Sequence, residues 1–373
     1  MKKIGILGGG QLGRMLLQQA ANYPVETHVL ENDPLCPAAH LCHHFTLGDI
    51  NDAETVYAFG KNLDVLTIEI EHVDVGALER LEAEGVKIIP KPAVLKTLKN
   101  KIKQKEFYVA NGISTSNFVV TETEAELKTH IHLLPAVHKL ATGGYDGKGV
   151  QIIRDASEID KGFREAAILE ELVNIEKEIS VIIAANGKGE FKIYPLVEMV
   201  FDPILNLVSH QFSPACITEK QQWVAEALAL QLVKAMQSPG IFAVECFIDK
   251  NGNVLVNETA PRVHNSGHHT IEACYSGQFD MLLRILLDLP LGNPELIMPA
   301  GMVNLIGAEG HSGAVNYQGL EEVLRMDDSF VHIYGKKETR PGRKMGHITV
   351  MNKRIEDLMY TFNRIKEKIK VST

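Results

Sequence analysis

Short apolar runs alternate with amphipathic stretches along the first hundred residues. The runs KIGIL, THVLE, VLTIEIE and VKIIP predict strands, whereas QLGRMLLQQAA and ALERLEAEG predict helices, the second ending at Gly85. Strands that alternate with helices indicate a parallel sheet with right-handed crossovers. The N-terminal part of the chain is therefore predicted to be an α/β domain.

The pattern becomes mixed after a basic helical segment, KPAVLKTLKNKIKQKEFYVANG. The runs AVHKL, GVQII, AILEELV and EISVIIAA predict strands, and EKQQWVAEALALQLVKAM predicts a long helix. IFAVECFID and VLVNETAPR predict a hairpin, because Asn251-Gly252 between two such runs is a strong turn signal. Short strands predominate from about residue 296.

Length and composition limit the class of protein. A chain of 373 residues exceeds what one hydrophobic core organises, so two or three domains are expected. The net charge of −9 argues against a broad nucleic-acid-binding face. No apolar run reaches the ~20 residues of a membrane span, and the start of the chain does not resemble a signal peptide. Five cysteines at scattered positions suggest reduced thiols and a cytoplasmic protein.

The first glycine loop follows the first predicted strand and opens a helix. Gly8, Gly10 and Gly13 match G-x-G-x-x-G, a pattern that favours an anion at a helix N-terminus. Glu31 ends the next strand, where an acid that binds a ribose would lie. Two interpretations stay open at this point: a dinucleotide site, or glycines that only permit a tight turn and close packing.

A second glycine loop lies between the strands AVHKL and GVQII. Gly143, Gly144, Gly147 and Gly149 surround Tyr145, Asp146 and Lys148, with Lys139 on the strand before them. A glycine flap that carries a lysine suits covering nucleotide phosphates, and Lys139 supplies a further charge. The alternative is a flexible hairpin with a solvated lysine.

The predicted hairpin carries the sharpest chemical signal. With Asn251-Gly252 as a two-residue turn, Glu245 lies directly opposite Glu258, and like charges in that arrangement destabilise a sheet. A shared proton or a hard cation would offset the repulsion, and Asn257 adds an amide oxygen. Magnesium bridged to substrate phosphates is the economical interpretation. The alternative is a slipped register that leaves both glutamates solvated.

Two further loops are dense in polar side chains, and a third contains histidine and cysteine. ETAPRVHNSGHHT suits binding of a polar substrate, and no nearby cysteine or carboxylate completes a histidine metal site there. CPAAHLCHHF lacks a second half, so we interpret it as a loop with a few buried side chains. YGKKETRPGRKMGH concentrates positive charge in an acidic chain, which suggests a phosphate on the substrate. Its positively charged residues are Lys336, Lys337, Arg340, Arg343 and Lys344. A solvated positive loop is the alternative.

Taken together, these stretches resemble the ATP-grasp superfamily, and within it the 5-(carboxyamino)imidazole ribonucleotide synthases of purine biosynthesis. The segments LGGGQLGRM, TIEIEHV, GGYDGKG, FAVECF, NETAPRVHNSGH and YGKKETRPGRKMGH occur in the family's order. The resemblance covers nearly the whole chain. It implies a Rossmann-like domain over residues 1–98, a two-lobed ATP-grasp module over 99–295 with a lid lobe at about 115–175, and a small strand-rich C-terminal domain over 296–373.

The resemblance also implies a reaction. ATP and bicarbonate would carboxylate the exocyclic amine of 5-aminoimidazole ribonucleotide through carboxyphosphate, with Mg²⁺ bound and ADP and phosphate released. The protein would be a cytoplasmic homodimer, and the first glycine loop would shape the ribonucleotide site. Two alternatives remain: an ATP-grasp ligase for another phosphorylated amine, and an NAD(P)-dependent oxidoreductase.

Site residues follow from the resemblance position by position. ATP is expected to contact Lys101, Lys139, Gly144, Tyr145, Asp146, Gly147, Lys148, Gly149, Val150, Glu170, Glu171, Leu172, Val173, Glu178, Asn257 and Glu258. The ribonucleotide is expected to contact Gln11, Leu12, Glu69, Tyr145, Asp146, Arg262, His264, Asn265 and Ser266, with its phosphate on Lys336, Arg343 and Lys344. Glu71 is an alternative to Glu69. Mg²⁺ is assigned to Glu245 and Glu258, and catalysis to Arg262, His264, Tyr145 and Lys336.

Overall fold

A computed structural model describes residues 1–144, 149–202 and 207–373. The N-terminal part forms a parallel five-stranded sheet in the order β3-β2-β1-β4-β5, as the alternating pattern predicts. Its strands are β1 (Lys2–Leu7), β2 (Val25–Glu31), β3 (His44–Leu47), β4 (Val65–Ile68) and β5 (Lys87–Ile89). Its helices are α1 (Gln11–Ala20), α2 (Ala53–Gly60) and α3 (Val75–Ala83), and α4 (Pro92–Leu98) and α5 (Lys101–Ala110) follow.

A small antiparallel sheet comes next and lies over the site described below. Its strand order is β6-β9-β7-β8. The strands are β6 (Phe118–Thr121), β7 (Ala136–Leu140), β8 (Val150–Ile153) and β9 (Ala167–Glu171), with α6 (Glu124–Thr129) after β6. The second glycine loop lies between β7 and β8 in the chain.

A large antiparallel sheet continues from the middle of the chain into its C-terminal part. Its order is β15-β14-β10-β12-β13-β16-β21-β19, with β11 also paired to β10. The strands are β10 (Ile175–Ala185), β11 (Phe191–Ile193), β12 (Val197–Phe201), β13 (Val208–Ser213), β14 (Gly240–Asp249), β15 (Val254–Ala260), β16 (Ala300–Ile306), β19 (Ser329–Ile333) and β21 (Lys344–Met351). The C-terminal strands thus extend an existing sheet through the β13–β16 pair.

Two-stranded ribbons and helices complete the described residues. The ribbons pair β17 (Gly313–Ala314) with β20 (Glu338–Thr339), and β18 (Asn316–Gln318) with β22 (Lys370–Ser372). The helices are α7 (Glu219–Met236), α8 (Thr270–Ala273), α9 (Gln278–Leu286), α10 (Leu320–Leu324) and α11 (Ile355–Lys368). None of the helices in the described ranges is both long and apolar enough to cross a lipid bilayer.

The middle of β10 is apolar on both faces because helices cover both. Ile179, Val181 and Ile183 pack with α7, whereas Ile182 and Ala184 pack with α9 and with α1 of the N-terminal part. A strand buried on both sides reads as a continuous apolar run. EISVIIAA is such a run. The polar residues of β10 lie near the start of the strand, where the candidate site is.

Four boundaries differ from those predicted. The basic segment forms two helices, α4 and α5, because the Asn100 side chain caps a new helix by accepting from the Lys103 N–H. The helix α3 ends at Ala83, before Gly85. The strand β4 ends at Ile68, so Glu69 and Glu71 lie beyond it. CPAAHLCHHF is not wholly a loop, because His44 begins strand β3. The C-terminal part also contains the fourteen-residue helix α11.

Candidate active site

A row of polar side chains crosses three neighbouring strands of the large sheet. Glu258 on β15 is paired with Glu245 on β14, and Glu245 is paired with Ser180 on β10. Directly paired residues share one face of a sheet. Glu178, two residues before Ser180, faces the same way. The strand register therefore places three carboxylates on one face, as the sequence predicted for the facing pair Glu245 and Glu258.

The turn that produces this register differs from the one predicted. Asp249 pairs with Asn253 across a three-residue loop, in which Gly252 has φ +82°. The predicted two-residue turn is therefore wrong. A β-bulge at Asn257 then shifts the pairing by one residue, between Cys246–Val256 and Glu245–Glu258. The longer loop and the bulge cancel, which is why Glu245 and Glu258 still face each other. Bulges near functional sites redirect side chains.

The two paired carboxylates lie in opposite electrostatic environments. The Lys101 ammonium lies 2.6 Å from Glu258 Oε2 and holds the pKa of Glu258 well below its usual range. Burial, together with the negative charge of Glu258, raises the pKa of Glu245. Lys101 begins α5, where the helix dipole disfavours a cation, so Glu258 offsets that cost. The unfavourable charge on Glu245 is the condition that a bound cation would relieve.

Lysines from two different elements converge on Glu170. Lys105 of α5 lies 2.7 Å from Glu170 Oε1, and Lys139 of β7 lies 2.6 Å from Oε2. Lys139 also donates to Asn257 Oδ1 at 3.0 Å, which links the small sheet to the bulge. Burial lowers the pKa of Lys105 to about 8. Both carboxylate oxygens of Glu170 thus lie against lysines, and its contact with the nucleotide stays a prediction.

The remaining residues predicted to contact the nucleotide lie on β10, at the end of β9 and beside the second glycine loop. Burial, with the nearby charge of Glu258 adding to it, raises the pKa of Glu178 to about 7. Glu171 accepts a hydrogen bond from Asn117 Nδ2 at 2.9 Å, and Leu172 is exposed just after β9. The backbone of Leu172 and Val173 lies just after the end of β9. Gly144, Gly149 and Val150 flank the glycine loop, whereas Tyr145, Asp146, Gly147 and Lys148 lie outside the described residues.

Arg262 and His264 follow β15 directly and lie beside the carboxylate row. Arg262 Nε lies 2.8 Å from Glu71 Oε1, which reaches over from the N-terminal part. His264 Nε2 lies 3.5 Å from Glu245 Oε1, and its Nδ1 is 3.0 Å from Ser266 Oγ. Ser266 Oγ is also 2.8 Å from Ser180 Oγ, so its hydroxyl is part of an internal chain. Asn265 Nδ2 donates to Asn304 Oδ1 at 3.0 Å.

The first glycine loop already binds carboxylates of this chain. The N–H groups of Gly10 and Leu12 donate to Glu69, and the Gly9 N–H donates to Glu31 Oε2 at 2.9 Å. A Cβ on Gly10 would lie 2.4 Å from Glu69 Oε1, so glycine is required for this approach. Glu69 thus occupies the helix N-terminus where a pyrophosphate would bind. Glu69 and Glu71 therefore have different partners, because Glu69 accepts from the glycine loop whereas Glu71 pairs with Arg262.

The basic loop of the C-terminal part approaches the same region from the other side. Lys336 Nζ donates to the Lys344 carbonyl at 2.8 Å, and Arg343 Nη1 donates to the Glu338 carbonyl at 2.7 Å. The positive charge of Lys344 acts on Glu245 and lowers its pKa, against the larger effect of burial.

Gln11 opens helix α1, whereas the Leu12 side chain is buried in the core.

Two residues of the site were missed by the sequence prediction: Lys105, which pairs with Glu170, and Gln278, which holds His264. Glu71 was predicted only as an alternative to Glu69. The Gln278 side chain accepts from the His264 N–H and donates to its carbonyl, both at 2.8 Å. No motif indicates such long-range partners. The sequence contained one usable signal for Lys105. It lies one helical turn after Lys101, so the two lysines share one face of the helix.

Comparison with known proteins identifies the class. Residues 1–99 match the ribonucleotide synthetase preATP-grasp domain, 106–279 the ATP-grasp domain, and 300–361 the phosphoribosylaminoimidazole carboxylase C-terminal domain. The fold and the site therefore define an ATP-grasp enzyme, that is, an ATP-binding carbon–nitrogen ligase. The chain belongs to the N5-carboxyaminoimidazole ribonucleotide synthase family, which excludes the oxidoreductase alternative.

Three similar proteins illustrate the relationship. A crystal structure of N5-carboxyaminoimidazole ribonucleotide synthetase from Thermotoga maritima is 40% identical, with a TM-score of 0.93 and full coverage of both chains. The synthase from Aspergillus clavatus, in complex with ADP and 5-aminoimidazole ribonucleotide, is 33% identical over 98% of this chain and 99% of that one, with a TM-score of 0.87. A chloroplastic phosphoribosylaminoimidazole carboxylase from Vigna aconitifolia is 36% identical over 95% of this chain, which spans 65% of that protein's length.

Proposed function

We propose that this chain carboxylates the exocyclic amine of 5-aminoimidazole ribonucleotide, with ATP and bicarbonate as co-substrates and carboxyphosphate as intermediate. The observation that carries the proposal is the carboxylate row beside Arg262 and His264. It brings two facing glutamates, one of which has a raised pKa, next to His264. Family membership supplies the ligase chemistry, and the complex of the Aspergillus clavatus protein supports the choice of ribonucleotide.

Mg²⁺ is the metal we assign to Glu245 and Glu258. The donor set fits, because two carboxylates face each other and the pKa of Glu245 is raised by burial and by its partner's charge. When bound, Mg²⁺ would neutralise charge on the phosphates of ATP. Lys101 and Lys139 add fixed positive charge to the same region. Lys101 lies against Glu258, and Lys139 against Asn257.

The main contribution of the protein's own residues is to position the reactants. Bicarbonate oxygen attacks the γ-phosphate of ATP and displaces ADP. The amine nitrogen then attacks the carbonyl carbon of carboxyphosphate and expels inorganic phosphate, or it attacks the CO₂ that carboxyphosphate has released together with that phosphate. Arg262, held in place by Glu71, orients the anionic carboxyl donor. His264 lies where a base could take the proton that the amine releases, and Ser266 fixes its ring. Lys336, Arg343 and Lys344 bind the ribonucleotide phosphate, and Tyr145 and Asp146 would cover the site from the glycine flap.

We extend the proposal to the domains and to the assembly. The domain limits are 1–98, 99–295 and 296–373. The enzyme is a cytoplasmic homodimer, in keeping with five free cysteines and the family resemblance. Sedimentation velocity would test the dimer.

ADP release from Mg-ATP measures the function directly. Release is expected to need both bicarbonate and 5-aminoimidazole ribonucleotide, because only the filled site aligns the bicarbonate oxygen with the γ-phosphate and excludes water. ADP release that is indifferent to the ribonucleotide would overturn the proposed substrate and leave the ATP-grasp assignment standing.

A further inference from the structure

Three side chains of the types that ligate metal ions meet on the N-terminal sheet, away from the active site. Glu26 and His28 lie two residues apart on β2, and His28 is paired with His44 on the parallel strand β3. Residues two apart on a strand share a face, and so do directly paired residues. The register alone therefore brings Glu26, His28 and His44 onto one surface. This arrangement supplies the second half that the CPAAHLCHHF segment lacks in sequence.

The distances between the donor atoms suit one metal ion. Glu26 Oε1 lies 3.0 Å from His28 Nε2 and 3.0 Å from His44 Nε2, and the three donor atoms all lie within 4.8 Å of one another. Ligands about 2.0–2.1 Å from a tetrahedral metal are separated by roughly 3.3 Å. The two imidazole rings are stacked, with centroids 4.5 Å apart and planes 21° apart, so both Nε2 atoms point toward the same oxygen.

The neighbouring residues leave the site accessible. The side chain of His44 is 56% exposed and that of Glu26 is 26% exposed, so a metal can enter from solvent. Gly5 is paired with His28 on the inner side, where Leu63, Leu66 and Phe59 fill the space, so access is from the side of His44. Lys3 is paired with Glu26, and its positive charge opposes a cation. The site lies toward the amino-terminal ends of the parallel strands, opposite the end where Glu31 and Glu69 bind the glycine loop.

We propose that Glu26, His28 and His44 form a second metal site, selective for a divalent transition metal such as Zn²⁺ over Mg²⁺. Two imidazoles and one carboxylate are donors that Zn²⁺, Ni²⁺ and Cu²⁺ prefer, whereas Mg²⁺ prefers oxygen. Three protein ligands leave a fourth position for water. The metal would join β3, the edge strand of the sheet, to β2.

Calorimetric titration of Zn²⁺ into untagged, full-length protein tests the proposal, with excess Mg²⁺ present to fill the active site. One Zn²⁺ is expected to bind, and His44→Ala or Glu26→Gln is expected to weaken that binding by about tenfold or more. Lys3→Met is expected to strengthen it, because the opposing charge is removed. Co²⁺ added in place of Zn²⁺ should give the visible absorption of a four-coordinate ion, and His44→Ala should abolish it.

Two control variants separate this site from other donors. His132→Ala removes an exposed histidine elsewhere, and Glu245→Gln removes the carboxylate beside His264. Neither is expected to change the affinity for Zn²⁺. Equal affinity in the wild type and His44→Ala would overturn the proposal, as would loss of binding only in Glu245→Gln. Ribonucleotide-dependent ADP release in Mg²⁺ should be unchanged in His44→Ala, so the outcome is independent of the proposed function.

Discussion

Glu170 joins two lysines in a buried position between the small sheet and α5. The side chains of Glu170 and Lys105 are each only 3% exposed, and Lys139 is 12% exposed. Removing one partner of a buried ion pair leaves an uncompensated charge. Glu170→Gln is therefore expected to lower the free energy of unfolding by roughly 3 kcal/mol, measured by urea denaturation.

Glu124 provides the matched control for that substitution. It also pairs with two cations, Lys128 and Arg164, but on the surface. Solvent screens such pairs, so Glu124→Gln is expected to leave the urea midpoint nearly unchanged. Equal effects of the two substitutions would contradict the buried-cluster interpretation.

Glu178 gives the site a dependence on pH near neutrality. Its pKa is raised to about 7 by burial and by the charge of Glu258, against the opposing effect of Lys139. Below pH 7 the carboxyl is protonated and loses the charge that, in the proposed ATP site, would accept the ribose hydroxyls. ATP affinity is therefore expected to rise as the pH increases through 7. A titration at several pH values should show this rise in the wild type and a smaller one in Glu178→Gln. Identical profiles would remove Glu178 from the ribose site.

At the scale of the element, the β14–β15 hairpin sets the geometry of the carboxylates. Gly252 has φ +82° in its turn, a conformation that costs a residue with a side chain about 1 kcal/mol. Gly252→Ala is expected to lower the free energy of unfolding by about that amount, as measured by denaturant titration. Gly187, in another turn, has no heavy atom within 4 Å of a built Cβ and no positive φ. Gly187→Ala should be neutral or slightly stabilising, and equal losses for both would contradict the argument.

The same hairpin shows where sequence reasoning is limited. The alternation of apolar and polar residues predicts both strands, and Asn-Gly predicts the turn between them. The bulge at Asn257, however, lies against Lys139 of the small sheet, and no local sequence pattern indicates it. The predicted pairing of Glu245 with Glu258 was confirmed because the error at the turn and the unpredicted bulge have opposite signs.

At the scale of the whole molecule, one sheet joins the ATP-binding strands to the C-terminal strands. Phe362 of α11 is fully buried against Phe212 and Ile348 of that sheet. Phe362→Ala is expected to lower the free energy of unfolding by about 3–5 kcal/mol. In calorimetry it should lower the midpoint temperature of the same unfolding transition whose midpoint Mg-ATP raises. Tyr360→Ala, on the same helix but 66% exposed, should have little effect. Two separate transitions, each affected by only one perturbation, would show that the parts unfold independently.

The overall architecture was predictable to the extent that local patterns determine it. Alternating strands and helices gave the parallel N-terminal sheet, and the capping box of Thr218 and Gln221 matches the predicted start of α7. The joining of the C-terminal strands to the large sheet depends on contacts between β13 and β16, about ninety residues apart. The Glu71–Arg262 and Glu69–Gly10 contacts are likewise long-range. Composition and spacing contain no signal for them.

The central claim is that Glu245 and Glu258 hold the metal on which ATP chemistry depends. Its most direct test is ADP release in Glu258→Gln, compared with Glu176→Gln, an exposed glutamate on β10. The account predicts that ribonucleotide-stimulated ADP release falls by about 10²–10³-fold in Glu258→Gln and is unchanged in Glu176→Gln. Stimulated ADP release within about threefold of wild type in Glu258→Gln, under ~1 kcal/mol of barrier, would contradict it.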